Sequence, residues 1–147
     1  MTRQPCTARA FAIALALLLG SVAVATTQSL DVKPGLWKKA VKTQTGGRTV
    51  LDSTVDTCLT ATDLELSRTA ARLAQAPACK ILLQDLSPTR LKVILQCKDV
   101  LAESVTNVRS REAFVVDATI RTGRGEQTHT TEQWTFVKSS CSDKLPQ

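Results

Sequence analysis

Residues 79–97 read CKILLQDLSPTRLKVILQC. The run is a β-hairpin closed by its own ends. Ser87-Pro88-Thr89 supplies the turn, with Pro88 at the midpoint. Folding the chain there sets Cys79 against Cys97, Ile81 against Leu95 and Leu83 against Val93. All six share one face, because side chains alternate along a strand. Directly opposed residues lie within reach of a disulfide. The hairpin therefore predicts a Cys79–Cys97 bridge.

Outward from that hairpin, the 147 residues amount to one domain. With 43% apolar and 22% charged residues, the chain can bury a real, if small, core. Aromatic residues are only 3% and tyrosine is absent, so aliphatic side chains must pack around Trp37, Phe114, Trp134 and Phe136. Residues 1–25 stand apart. Arg3 and Arg9 precede an apolar run from Ala10 to Ala25, which closes on Ala23-Val24-Ala25. A basic start, an apolar run and a small-x-small end describe a secretory signal peptide cleaved after Ala25. The rival is an uncleaved anchor helix, but these 16 residues fall short of the ~20 needed to span a bilayer. No cysteine follows the cleavage motif, so a lipoprotein signal is not expected. Residues 26–147 then form a single exported domain, periplasmic or secreted, with no transmembrane segment.

Cleavage removes Cys6 and leaves Cys58, Cys79, Cys97 and Cys141. An even count in a small exported chain favours disulfides. Four cysteines allow three pairings. The hairpin selects Cys79–Cys97, which leaves Cys58–Cys141. Zinc is the competing use of four cysteines, but the intervening 20, 17 and 43 residues contain no C-x-x-C knuckle. No metal or other cofactor is expected. The formal charge of +6 becomes +4 once Arg3 and Arg9 are gone. The basic residues are spread along the chain. Lys38, Lys39 and Lys42 make the one local cluster, a candidate contact strip for a partner and otherwise a solvated face.

Taken in order, Thr26 to Leu30 reads as a loose leader. Pro34-Gly35 marks a turn. Leu36 to Thr45 alternates as a strand, with Trp37, Lys39, Val41 and Thr43 on one face and Leu36, Lys38, Ala40 and Lys42 on the other. Neither face is cleanly apolar, as expected of an edge strand guarded by lysines. Gly46-Gly47 ends it, and Arg48 to Thr57 is a second strand. A helix follows, with Thr62 and Glu65 as a capping box and Leu66, Ala70, Leu73 and Ala74 as its apolar stripe. Pro77 stops it. Beyond the closed hairpin, Val100 to Val108 reads as a strand and Arg109 to Arg111 as a turn. Phe114, Val116, Ala118 and Ile120 alternate with Val115, Asp117, Thr119 and Arg121. Gly123-Arg124-Gly125 turns the chain into a last strand, from about Gln127 to Lys138. Centring that hairpin on Arg124 sets Phe114 against Trp134, and Ile120 against Thr128. Pro146-Gln147 is a short tail. The expected fold is mainly β (α+β): six or seven antiparallel strands, one short helix and two disulfides. Its architecture is a curved sheet or incomplete barrel with the helix over one opening, or a small sandwich.

Catalytic chemistry has few footholds. His129 is the only histidine, and it shares parity with Gln127, Thr131 and Gln133 on a polar face. No G-x-S-x-G elbow is present, and oxidised cysteines are not nucleophiles. Glu132 is the odd carboxylate, placed inward with Trp134 and opposite Val116. A glycosidase-type pair would need a second inward acid, and Asp117 has the wrong parity. Aromatic and basic residues do not interleave, and no phosphate loop occurs, so nucleic acid is not an expected partner.

Residues 31–37, DVKPGLW, followed by Cys58-Leu59-Thr60, Cys79, Cys97 and Cys141, resemble domain-of-unknown-function family 3617, a group of small exported bacterial proteins. The motif residues are Pro34, Gly35, Leu36 and Trp37. Members commonly carry glutamate after the tryptophan, where this chain has Lys38. The resemblance implies a periplasmic or secreted protein with no assigned activity and supplies no catalytic residues. The expected function is a non-enzymatic binding module for an apolar small ligand or an envelope component. A structural or stress-protective role is the alternative, and a hydrolase using Glu132 is a third reading.

Overall fold

The computed structural model describes residues 28–75 and 79–141. The expected signal peptide, Cys6, Pro77 and the Pro146-Gln147 tail lie outside the described residues. Seven strands form one antiparallel sheet: β1 (Gly35–Thr45), β2 (Arg48–Leu59), β3 (Lys80–Leu86), β4 (Arg90–Cys97), β5 (Val100–Ser110), β6 (Ala113–Thr122) and β7 (Gln127–Lys138). A 3-10 turn (Thr62–Leu64) and helix α1 (Leu66–Ala74) connect β2 to β3. The strand order is β2-β1-β7-β6-β5-β4-β3. The class is the expected one. The sheet is open and uncurled, and among the described residues β2 and β3 are its two free edges and no second sheet makes a sandwich.

Strand β1 is therefore not the edge. It lies between β2 and β7, and its alternation is that of an interior strand. The lysines do not guard an edge; Lys38 and Lys42 face Asp56 and Asp52 across the β1–β2 ladder, where opposite charges are favourable.

Both disulfides form as expected, Cys79–Cys97 and Cys58–Cys141. The first hairpin keeps its predicted register at Ile81 and Leu95. A bulge between Ile81 and Leu83 then slips the pairing, so that Leu83 faces Ile94 and Gln84 takes the place opposite Val93. One extra residue in a strand reverses the facing of everything beyond it. The second hairpin keeps its register throughout, with Phe114 opposite Trp134, Val116 opposite Glu132 and Ile120 opposite Thr128. The expected turn at Arg109 is strand as far as Ser110.

The cap also moves. Thr60, not Thr62, makes the reciprocal bonds: its N–H and hydroxyl donate to Asp63 Oδ2 at 3.0 and 2.6 Å, and Asp63 N–H donates to Thr60 Oγ1 at 3.2 Å. Thr62 lies inside the 3-10 turn, and Glu65 precedes α1 without a side-chain capping bond. Leu66 is buried as the stripe predicts, and Leu73 is half-buried.

The core sits at one end of one face. Trp37 is fully buried there with Leu30, Val32, Leu64, Leu66 and Phe114, and Phe136, Trp134, Val108, Leu91, Leu86 and Leu59 pack around them. The leader is not loose where it is described. Ser29 bridges to Glu65, and backbone N–H groups of Leu30, Asp31 and Lys33 donate to carbonyls of Leu64, Pro88 and Arg111. Residues 28–33 thus strap the covered end. The PGLW motif is the hinge of this strap. Gly35 has φ +144°, and a Cβ there would lie 2.3 Å from the Lys138 carbonyl oxygen. Trp37 then enters the core, its indole N–H donating to the Lys33 carbonyl at 3.0 Å.

Candidate functional site

The register divides the sheet into two faces. Trp37, Lys39, Val41, Thr43 and Thr45 of β1 share the inner face with Phe136, Trp134, Glu132, Thr130 and Thr128 of β7. Beside them lie Phe114, Val116, Ala118, Ile120 and Thr122 of β6, then Thr106, Ser104, Ala102 and Val100 of β5. The strap and the 3-10 turn cover the end bearing Trp37 and Phe114. The opposite end has no such cover among the described residues, and Ile120 is 44% exposed on it.

A polar group marks the boundary between the two halves. Trp134 donates its indole N–H to Glu132 Oε2 at 2.9 Å. Lys39 Nζ lies 3.8 Å from Glu132 Oε1 and 5.1 Å above the Trp134 ring. Trp134 in turn stacks on Phe114 at 5.0 Å between centroids. Glu132 is thus inward, as its parity predicts, and its two oxygens are occupied by the indole and the ammonium. Asp117 lies on the opposite face, so the two carboxylates do not converge on one reacting centre.

Beyond this pair the threonines of β1 and β7 hydrogen-bond to one another in pairs. Thr43 and Thr130 hydroxyls meet at 3.0 Å, as do those of Thr45 and Thr128. Paired hydroxyls cost less to desolvate than free ones. The strip through Val41, Ala118, Ile120, Ala102 and Val100 therefore behaves as an apolar surface. A hollow of about 470 Å³ closes its far end, lined by Asp99, Val100, Thr122, Gly123, Arg124 and Glu126. The Thr122 hydroxyl oxygen is buried there without a hydrogen-bond partner among the described residues.

The outer face is polar. His129 is 43% exposed and stands over Thr119, Thr131 and Asp117. Thr131 donates its hydroxyl to Asp117 Oδ1 at 3.0 Å. Its oxygen is then left to accept from His129 Nε2–H at 3.1 Å, while Nδ1 lies 3.2 Å from the Thr119 hydroxyl. With its Nε2 proton pointing at Thr131, this histidine has no lone pair with which to activate that hydroxyl. The network orients the ring, and in this tautomer the Nδ1 lone pair faces the Thr119 hydroxyl. Beside it a hollow of about 400 Å³ is lined by Lys42, Gln44, Asp52, His129, Thr131 and Gln133, among others.

The lysine cluster does not form one strip. Lys38 and Lys42 lie exposed on the outer face, and Lys39 is half-buried on the inner face against Glu132. Among the described residues no group of three or more histidine, cysteine, aspartate or glutamate side chains is arranged to hold a metal ion. Among them, too, no helix is long and apolar enough to cross a membrane. Sequence reasoning missed the threonine pairs and the Thr122 hollow. The four threonines do share inward parity in the sequence, but only the β1–β7 pairing brings them together.

Residues 32–141 match the family described as "Protein of unknown function (DUF3617)". No curated protein and no solved structure matches the chain.

Proposed function

The chain belongs to the DUF3617 family, and on that footing we propose that it is an exported, non-enzymatic module that holds an elongated apolar ligand on the uncovered half of its inner face. The observation that carries this reading is the pairing of Thr43 with Thr130 and of Thr45 with Thr128. It lowers the cost of drying the part of the inner face beside Ile120, which solvent reaches. An apolar chain laid along Ala118, Ile120 and Ala102 would remove that surface from water, at about 25 cal/mol per Å². Its polar end would meet Lys39 and Glu132. Two disulfides and the residue 1–25 pattern support export.

The test is native mass spectrometry of the protein purified gently from an exported fraction. A reproducible added mass, released by denaturation and lost in Ile120→Asp, is the expected result. Because Ile120 is exposed, that variant should stay within about 0.5 kcal/mol of the parent in stability. An apo mass with both disulfides intact, unchanged on adding lipid extract, would overturn ligand binding in favour of an envelope partner or a structural role.

A further inference from the structure

Among the described residues strand β2 ends the sheet with a free edge, its one strand partner being β1. Free edges are ordinarily blunted by shortness, bulges, lysine or proline. The other edge is blunted in this way: β3 has seven residues, a bulge and Lys80. In contrast, β2 has 12 residues, RTVLDSTVDTCL, with neither lysine nor proline. Its single irregularity falls at Val50, and from Leu51 to Leu59 its register with β1 is unbroken. Among the described residues seven large hydrophobic side chains are exposed, and three of them, Val50 (62%), Leu51 (48%) and Val55 (45%), are on this strand.

The strand also complements itself. We infer that two copies of the chain pair through β2, antiparallel, about a two-fold axis at Ser53. Reversal about Ser53 sets Leu51 against Val55 of the second copy, Asp52 against Thr54, and Ser53 against itself. No two aspartates meet. Moving the axis one residue either way does oppose them: an axis at Asp52 sets Asp52 against itself, and one at Thr54 sets Asp52 against Asp56. Like charges directly opposed are unfavourable. With the axis perpendicular to the sheet, side-chain parity is preserved and the inner faces of both copies lie on the same side. The Leu51–Val55 contacts then continue that face from one copy to the next. The Val50 bulge confines the regular ladder to Leu51–Val55 of each copy, which describes a weak, concentration-dependent dimer.

Register-specific crosslinking of the full exported chain tests this. Directly opposed Cα atoms lie about 4.5–5.5 Å apart, within disulfide reach. Ser53→Cys should give a covalent dimer on mild oxidation. Val55→Cys, whose two copies would stand four residues apart on the same face, should not. Peptide mapping confirms that Cys58–Cys141 and Cys79–Cys97 stay paired in both variants. Sedimentation of the parent should show a dimer that grows with concentration and is lost in Val55→Lys. Equal crosslinking of both variants, or crosslinking of Val55→Cys alone, would overturn the Ser53 axis. A parent that stays monomeric, with neither variant crosslinking, would overturn pairing of copies and leave β2 to a strand of another protein.

Discussion

At the scale of single residues, two glycines separate backbone need from spatial need. Gly35 and Gly47 both have positive φ, +144° and +79°. Nothing lies within 4 Å of a Cβ at Gly47, but at Gly35 it would strike the Lys138 carbonyl and the Phe136 ring. Gly47→Ala should cost about 1–2 kcal/mol, the ordinary penalty for left-handed backbone. Gly35→Ala must also move β7 and should cost at least about 3 kcal/mol in urea unfolding. Thr60 makes a second residue-scale prediction. Its hydroxyl and N–H hold the Asp63 carboxyl below the ordinary aspartate value, with Arg68 and Arg72 assisting. A lowered folded-state value stabilises above the ordinary aspartate range, and that stability is lost as pH falls through the folded value. In Thr60→Val the Asp63 carboxyl should titrate higher, by carbon NMR shift against pH. The stability gap from the parent should be widest at neutral pH and narrow on acidification. Thr60 was within reach of sequence reasoning, since Thr60 and Asp63 have the same spacing as Thr62 and Glu65. The choice between them depended on where the chain leaves β2.

At the scale of elements, the two disulfides do different work. Cys79–Cys97 closes 18 positions within one hairpin, and Cys58–Cys141 closes 83 and ties edge strand β2 to the segment after β7, across β1. On loop-closure entropy the first contributes about 3 kcal/mol and the second about 4.5. Paired Cys→Ser variants unfolded in denaturant should reproduce that order, with Cys58/Cys141 the costlier loss. The hairpins show where local reading holds. The turn at Gly123-Arg124-Gly125 set every pair of β6 with β7 correctly, down to Phe114 stacked on Trp134. The turn at Pro88 predicted the bridge and the pairs beside it but not the bulge at Leu82. An alternating run carries no mark for an extra residue when both Leu82 and Leu83 are apolar.

At the scale of the whole molecule, the helical crossover from β2 to β3 and the strap of residues 28–33 cover one end of the inner face, and among the described residues the other end is open. If the open end serves a ligand, substitutions there should separate from those at the covered end. Ile120→Asp should abolish the bound mass with little change in melting temperature, and Trp37→Ala should cost about 3–5 kcal/mol by cavity formation. Thermal unfolding beside native mass spectrometry checks both. The sequence by itself determined the class of fold, most strand limits, both disulfides and the inward parity of Glu132, because alternation, turn chemistry and cysteine arithmetic act over a few residues. Only the tertiary structure decided that β1 is interior, that Lys39 meets Glu132, and that the threonines pair. These follow from β1 meeting β7, segments as far apart as Thr43 and Thr130, 87 positions. Backbone hydrogen bonds join strands without regard to side-chain identity, so no local pattern announces which strand a free edge will find.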